Sequence, residues 1–203
     1  MSRVSQVQAQ ENRQRVVATA SRMFREKGLA VSLADLMKAA GLTHGGFYKH
    51  FESKDDLVDE AIVHAFSEPA AHSSTAVEEP AGGHEAARQA MIKDYLSVWH
   101  RDHPGEGCPV SGFAADLGRE PDQGAHVRDV YIDGVRSRAA RLATGDDDGM
   151  AQFCTLVGAL ALARATRGNP ISEELLEAAR TALIGDGTGQ PESGHPEPEQ
   201  QTA

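Results

Sequence analysis

The stretch GLTHGGFYKHF, residues 41–51, decides the interpretation of this sequence. Two adjacent glycines, which are poor helix formers, stand here among aromatic and potentially cationic side chains. The stretch is therefore a turn, a phosphate-binding loop, or a short helix in which glycines are kept for function despite their low helix propensity. The segments on either side of it distinguish between these three.

Helical patterns precede the stretch. Between residues 10 and 27 apolar residues recur at spacings of three and four, which predicts an amphipathic helix that ends at Gly28. Ser32 and Asp35 then form a capping-box pattern, which predicts a short helix over LADLMKAA, residues 33–40.

Two further helix starts follow at once. Thr43 is the predicted N-cap of a second short helix that runs through Phe51, and Ser53 with Asp56 repeats the capping pattern for a longer helix. Two short helices joined by a three-residue turn that contains glycine make a helix-turn-helix unit. The quoted stretch is then the second helix of that unit, the one that enters the major groove of DNA in such proteins.

The charge distribution agrees with this interpretation. The chain carries a net charge of −10, but residues 1–50 hold eight Lys and Arg against three acidic residues. The helix-turn-helix therefore lies in the one basic region of an acidic protein, and basic regions are what nucleic-acid binding requires.

Other interpretations of the stretch are weaker. GLTHGG lacks the following Lys-Ser/Thr of a phosphate loop and does not follow a strand. His44 and His50, six residues apart, do not share a helix face, and no third ligand accompanies them, so no zinc site is predicted. A plain surface helix, with Phe47 and Phe51 in the core and solvated polar side chains, remains the alternative.

The rest of the chain predicts an all-α fold. Helical patterns recur without the β-branched runs of a sheet protein. The predicted helices cover residues 85–100, 109–117, 124–142, 150–166 and a last segment from 170 to 185. Residues 150–166 are apolar around nearly the whole helix and should be buried, either in a dimer interface or as the central helix of a monomeric bundle.

Residues 10–66 resemble the DNA-binding domain of TetR-family transcriptional repressors, and SLADLMKAAGLTHGGFYKHFESKDDL, residues 32–57, carries the resemblance. It implies a DNA-binding domain over 1–66, a helical ligand-binding and dimerisation domain over 67–185, and a homodimer built from helices at about 124–142 and 150–166 that binds a palindromic operator. Residues 186–203 lack apolar side chains and are predicted to be disordered. The residues that the resemblance brings to phosphates are Ser32 and Lys54; those that face bases are Thr43, His44, Gly45 and Gly46; those that hold the DNA backbone are Tyr48, Lys49 and His50.

The resemblance also implies a ligand that releases DNA, for which the residues offer two sites. Tyr95, Trp99, Phe113 and Tyr131 are candidates to line an apolar cavity for a small molecule. Cys108 precedes a proline at a predicted helix start, near His100, Arg101 and His103, and such surroundings favour a reactive thiolate. The segment also resembles a subset of TetR-like regulators that carry Gly-Cys at this place, which implies that Cys108 is a sensor of electrophiles or oxidants; the alternative is a small residue that caps a helix.

Several function classes are not expected. The sequence shows no nucleophile-base pair, no paired carboxylates on a helix face and no metal-ligand cluster, so we expect neither an enzyme nor a cofactor. A helical enzyme or cofactor-binding protein whose helix-turn-helix is structural remains the alternative. No apolar run approaches the length of a membrane span and the first residues lack the hydrophobic centre of a secretory signal, so a cytoplasmic protein is expected.

Overall fold

The computed structural model describes residues 3–68, 83–119, 124–145 and 147–185. Within these ranges the regular structure is helical and no β-strand occurs, which confirms the all-α fold. The predicted disordered tail, residues 186–203, lies outside the described residues, and so does most of the connection predicted after residue 66.

The N-terminal helices form one core. They are α1 (Arg3–Lys27), α2 (Leu33–Ala39), a six-residue 3-10 helix (His44–Lys49) and α3 (Lys54–Ser67). Ser32 and Ser53 cap α2 and α3 as predicted: each hydroxyl accepts the amide N–H three residues on, and Asp56 completes the box at Ser53. The buried face of α1, including Val16, Ala20 and Phe24, packs against both helices.

The remaining helices are α4 (Gly83–Tyr95), α5 (Val98–Asp102), a 3-10 turn (Pro104–Glu106), α6 (Pro109–Arg119), α7 (Ala125–Ala140), α8 (Met150–Ala165) and α9 (Ile171–Ile184). The single helix predicted over 85–100 is wrong, because the chain breaks after Tyr95. The Ser97 hydroxyl accepts the His100 N–H at 3.1 Å and starts a new helix.

Helix α8 is buried on one side only in the single chain, so it is not the central helix of a monomeric bundle. Phe153, Leu156 and Leu160 pack into the C-terminal core, mainly against α9. The opposite face is exposed in the single chain, and Leu162 keeps 55% of its surface accessible. This exposed face is apolar or small throughout, and its members are Ala151, Cys154, Thr155, Gly158, Ala161, Leu162 and Ala165.

Two glycines bring α1 against the C-terminal helices. A Cβ at Gly105 would lie 2.7 Å from Arg22 Cγ, and one at Gly112 would lie 2.8 Å from Arg25 Cγ. Either contact is too short for a larger residue. The glycines of the segment PGEGCPVSGF, residues 104–113, therefore allow α1 to pack closely against it. The N-terminal domain and the C-terminal helices are therefore in direct contact along α1.

Candidate DNA-binding surface and ligand cavity

The 3-10 helix His44–Lys49, called the recognition helix below, is held by two aromatic anchors. Phe47 and Phe51 are buried and stack with their ring centroids 5.2 Å apart. The helix is 3-10 rather than α-helical, and although Thr43 stands at its N-cap position, the threonine side chain makes no cap hydrogen bond. Six residues with two glycines have too little propensity to form an α-helix alone, so tertiary anchoring fixes the segment.

The opposite side of the recognition helix is open. Tyr48 is 67% exposed, and His44 and Lys49 are exposed as well. Lys49 forms no ion pair with any residue in the described part of the chain. The structure thus brings together the predicted base-facing and backbone-holding residues of this helix on one accessible surface.

Neither glycine of this helix is required by the fold. A Cβ at Gly45 would meet nothing within 4 Å, and one at Gly46 would meet only ordinary contacts, the nearest being Thr43 Oγ1 at 3.6 Å. Neither residue has a positive φ angle, so alanine fits both positions. The fold therefore tolerates a larger residue where the sequence carries none.

The remaining predicted phosphate contacts flank this surface and already have partners. Ser32 Oγ accepts the Asp35 N–H and donates to Asp35 Oδ2 at 2.6 Å. Lys54 Nζ donates to the Leu29 carbonyl oxygen at 2.6 Å, which uses one of its three N–H groups and ties α3 to the end of α1.

The pattern of the sequence gave no sign of Arg13, which positions the recognition helix. Its Nε donates to the His50 carbonyl oxygen at 3.4 Å, its Nη2 pairs with Glu60, and its guanidinium lies 4.9 Å from the centre of the Phe51 ring. The side chain therefore fixes the end of the recognition helix between α1 and α3. A lone arginine on an amphipathic helix carries no signal for this role.

A cavity of about 620 Å³ lies between α1, the end of α3 and helices α4 to α7. Tyr95 and Trp99 line it, as predicted. Phe113 and Tyr131 do not: Phe113 is fully buried in the core, and the Tyr131 hydroxyl donates to the Val110 carbonyl oxygen at 3.1 Å. Cys108 is part of the wall, so the two predicted ligand sites are one place in the structure.

The cavity is not apolar, contrary to the prediction. Its charged lining residues are Arg22, Arg25, Glu68, Asp94, Glu106, Arg138 and Arg141. The arginines come as two pairs spaced by three residues, at the ends of α1 and α7. This repeated spacing is the one signal in the sequence that could have predicted these arginines. In α1 the signal is masked, because the arginines there belong to the basic region assigned to DNA binding.

Arg25 joins the two parts of the molecule at this cavity. Its Nη2 pairs with Glu68 Oε2 at 2.9 Å at the end of α3, and its Nη1 donates to the Gly107 carbonyl oxygen at 3.0 Å. Only 7% of the side chain is exposed, and burial lowers the pKa of Arg25 while the Glu68 carboxylate opposes that change.

The surroundings of Cys108 differ from those predicted. His100 Nδ1 lies 2.8 Å from the Tyr95 carbonyl oxygen and must donate its proton there, so Nε2 accepts the Cys108 amide N–H at 2.9 Å. Burial lowers the pKa of His100 from 6.5 to about 4, so the ring is neutral. Arg101 pairs with Asp102 instead, and the arginines bonded to the backbone here are Arg25, at the Gly107 carbonyl, and Arg164, at the His100 carbonyl.

Two other kinds of site find no support in the described ranges. No three His, Cys, Asp or Glu side chains there are grouped to hold a metal ion. Within the same ranges, no helix combines the length and the apolar content that crossing a bilayer requires.

The N-terminal domain matches a known family of sequences. Residues 16–61 match the family model described as "Bacterial regulatory proteins, tetR family". Over 61 residues the chain is 43% identical to the HTH-type transcriptional regulator AcrR of Shigella flexneri, which covers 30% of this chain and 28% of that protein. Over 79 residues it is 37% identical to the regulator TtgR of Pseudomonas putida, 38% and 37% of the two chains. The match thus spans about a third of these relatives' length.

Solved structures extend the likeness to the whole fold. A TetR transcriptional regulator from Chloroflexus aurantiacus superposes with a TM-score of 0.64 at 24% identity, over 87% of this chain and 94% of that one. Reduced NemR of E. coli superposes with a TM-score of 0.66 at 18% identity, over 85% and 95%. At these identities the likeness establishes the fold alone.

Proposed function

We propose that this chain, whose N-terminal domain belongs to the TetR family, is a cytoplasmic transcriptional repressor that binds a double-stranded DNA operator as a homodimer. The proposal assigns residues 1–66 to DNA binding and residues 67–185 to ligand binding and dimerisation. Proteins of this family regulate transcription and are not enzymes, so the alternative of a helical enzyme is set aside.

The observation that carries the proposal is the pair of glycines on the recognition helix. Each costs about 1 kcal/mol relative to alanine in a helix, and neither the backbone conformation nor the packing asks for it. A flat, exposed backbone with Tyr48 and Lys49 beside it suits close approach to another molecule. In the major groove, His44 and Thr43 would then read bases, and Tyr48, Lys49 and His50 would hold phosphates.

The exposed face of α8 supports the homodimer. A contiguous stripe of apolar and small side chains on one helix is rarely left in water, and small residues let a second helix approach closely. The stripe lies on α8, which falls within 150–166, one of the two helices to which the resemblance assigns the interface, the other being at about 124–142. A two-fold dimer would present its recognition helices about 34–36 Å apart, or nearby, to successive major grooves.

Release of DNA follows from the position of the cavity. Its walls belong to α1 and α3 on one side and to α4–α7 on the other, so an occupant acts on the contact between the two domains. A small molecule lowers DNA affinity only as far as it prefers the conformer that cannot span two grooves. Arg25, which bonds both sides of the contact, is the residue through which such a change passes.

Modification of Cys108 is the second route of release, and its place on the cavity wall supports it. Addition of the sulfur to N-ethylmaleimide forms a carbon–sulfur bond at one ring carbon while the neighbouring carbon takes a proton, so no oxidant is needed. Bulk added at Cys108 would press on the Gly107 carbonyl that Arg25 binds. If Cys108→Ser left release by this reagent or by hypochlorite unchanged, the thiol route would be wrong.

A mobility-shift assay on DNA upstream of the protein's own gene tests DNA binding. We expect Tyr48→Ala and Lys49→Ala each to weaken binding about tenfold or more, since each removes a phosphate contact from both subunits. Lys93→Ala, which removes an exposed lysine of α4, is the matched control and should bind normally. Unchanged affinity in both recognition-helix variants would count against the assignment.

A further inference from the structure

The cavity beside Cys108 carries more positive than negative charge. Four arginines face three carboxylates across it. One of the carboxylates, Glu68, is already paired with the buried Arg25 at 2.9 Å. His100, on the same wall, is neutral and contributes no charge of either sign near neutral pH.

Two of the arginines are free to bind another molecule. Arg22, near the end of α1, and Arg141, at the end of α7, form no ion pair or hydrogen bond with any residue in the described ranges. Both are exposed to solvent. They line the same cavity from α1 and from the end of α7, and each guanidinium can pair with an anionic group.

The inner wall is apolar and aromatic. Phe66, Met91 and Trp99 supply flat or deformable apolar surface. Tyr95 adds a buried hydroxyl that lies beside Cys108 and Ser111 and makes no hydrogen bond of good geometry in the described part of the structure. A buried hydroxyl without a partner is costly, and a polar atom of a ligand would satisfy it.

We propose that the inducer of this regulator is a small aromatic carboxylic acid, with its carboxylate at Arg22 and Arg141, its ring against Trp99, and a polar substituent near Tyr95. The cavity volume falls in the range of about 300–1,000 Å³ that drug-sized ligands occupy. The inference rests on the proposed function in treating this cavity as the inducer site. The inference goes beyond the proposed function by specifying the charge and the chemical class of the ligand.

The lone tryptophan of the chain reports on the site, because Trp99 is on the cavity wall. The full-length protein, without DNA, is titrated with phenylpropionate, phenylpropanol and phenylpropylamine, which share a ring and a chain and differ in charge. We expect the tryptophan emission to change saturably with ligand concentration. The acid should bind at least about tenfold more tightly than the alcohol, and the amine should bind most weakly.

Variants locate the anion. Arg141→Gln should reduce the preference for the acid over the alcohol to about threefold or less, while binding of the alcohol stays the same. Arg136→Gln, on the same helix but 72% exposed and outside the cavity wall, is the matched control and should keep the full preference.

The possible results separate this inference from the proposed function. Tighter binding of the amine, equal binding of all three compounds, or no saturable change up to millimolar concentration would overturn the inference, whatever the protein does with DNA. Absence of a shifted band in the mobility-shift assay, with acid binding intact, would overturn the regulator assignment and leave the anion site standing.

Discussion

Removing Arg25 should loosen the contact between the two domains. The change Arg25→Met keeps most of the side-chain volume and removes the guanidinium. The change removes three hydrogen bonds together: Nη1 to the Gly107 carbonyl oxygen at 3.0 Å, Nη2 to Glu68 at 2.9 Å, and Nε to the Ser21 carbonyl oxygen at 3.2 Å. Of these, only the bond to Gly107 crosses from α1 to the segment before α6.

The magnitude follows from what the change leaves behind. Hydrogen bonds to a charged group contribute about 1.5–3 kcal/mol each, and burial of the guanidinium, which methionine avoids, offsets part of that. Glu68 is 37% exposed and lies 3.2 Å from His64, so water and that ring can solvate its carboxylate. We expect a loss of about 1–3 kcal/mol of unfolding free energy, which lowers the melting temperature by about 2–10 °C.

Urea and thermal unfolding of Arg25→Met, Glu68→Gln and the double variant measure this. The two single changes should be non-additive by about 1 kcal/mol, because each removes the same ion pair. Arg15→Met, an exposed arginine of the same helix, is the control and should change stability by less than about 0.5 kcal/mol. Strict additivity, or Arg25→Met as stable as the unchanged protein, would refute the role given to Arg25.

Three further changes have defined outcomes. The pKa of His100 is about 4 in the folded protein against 6.5 in the unfolded chain, so its contribution to the unfolding free energy is complete above pH 6.5 and falls by about 3 kcal/mol as the pH drops towards 4. His100→Gln keeps one donor and one acceptor, and in urea titrations at several pH values it should lack that part of the acid dependence. Leu162→Glu should convert the dimer to monomer in light scattering, whereas Val7→Glu, on an exposed apolar residue of α1, should not; a dimeric Leu162→Glu would exclude the α8 interface. Lys49→Ala should lower the slope of log affinity against log salt by about 2 per dimer, and an unchanged slope would mean that Lys49 touches no phosphate.

Local chemistry is why the N-terminal domain was predictable. The serine caps of α2 and α3, the glycine that ends α1, and Phe47 and Phe51 each carry a signal within a few residues of the position they decide. The 3-10 form of the recognition helix was not predictable in this way. Its backbone depends on how Phe47 and Phe51 insert between α1 and α3, which no local pattern records.

The C-terminal domain shows where such signals end. The break between α4 and α5 has a capping residue, Ser97, but the apolar pattern that begins at residue 85 continues through it. The continuous pattern therefore predicted one helix where the structure has two. Phe113 and Tyr131 were assigned to a cavity because they are aromatic, yet whether an aromatic side chain lines a void or fills the core depends on the neighbours that pack on it. For α8 the apolar pattern was read correctly, but whether a second subunit covers a face cannot be read from the residues on that face.

The cavity was the least predictable feature because its wall is shared. In the sequence, Arg22 and Arg25 belong to the basic region assigned to DNA binding, and Arg138 and Arg141 stand at the end of the helix predicted over 124–142. Only the approach of α1, which Gly105 and Gly112 allow, turns these two pairs towards one space. Under the proposed function, the same approach connects the ligand site to the recognition helix: α1 carries the cavity wall at Arg22 and Arg25, and it contacts the end of the recognition helix at Arg13. A ligand that shifted α1 would therefore move both at once.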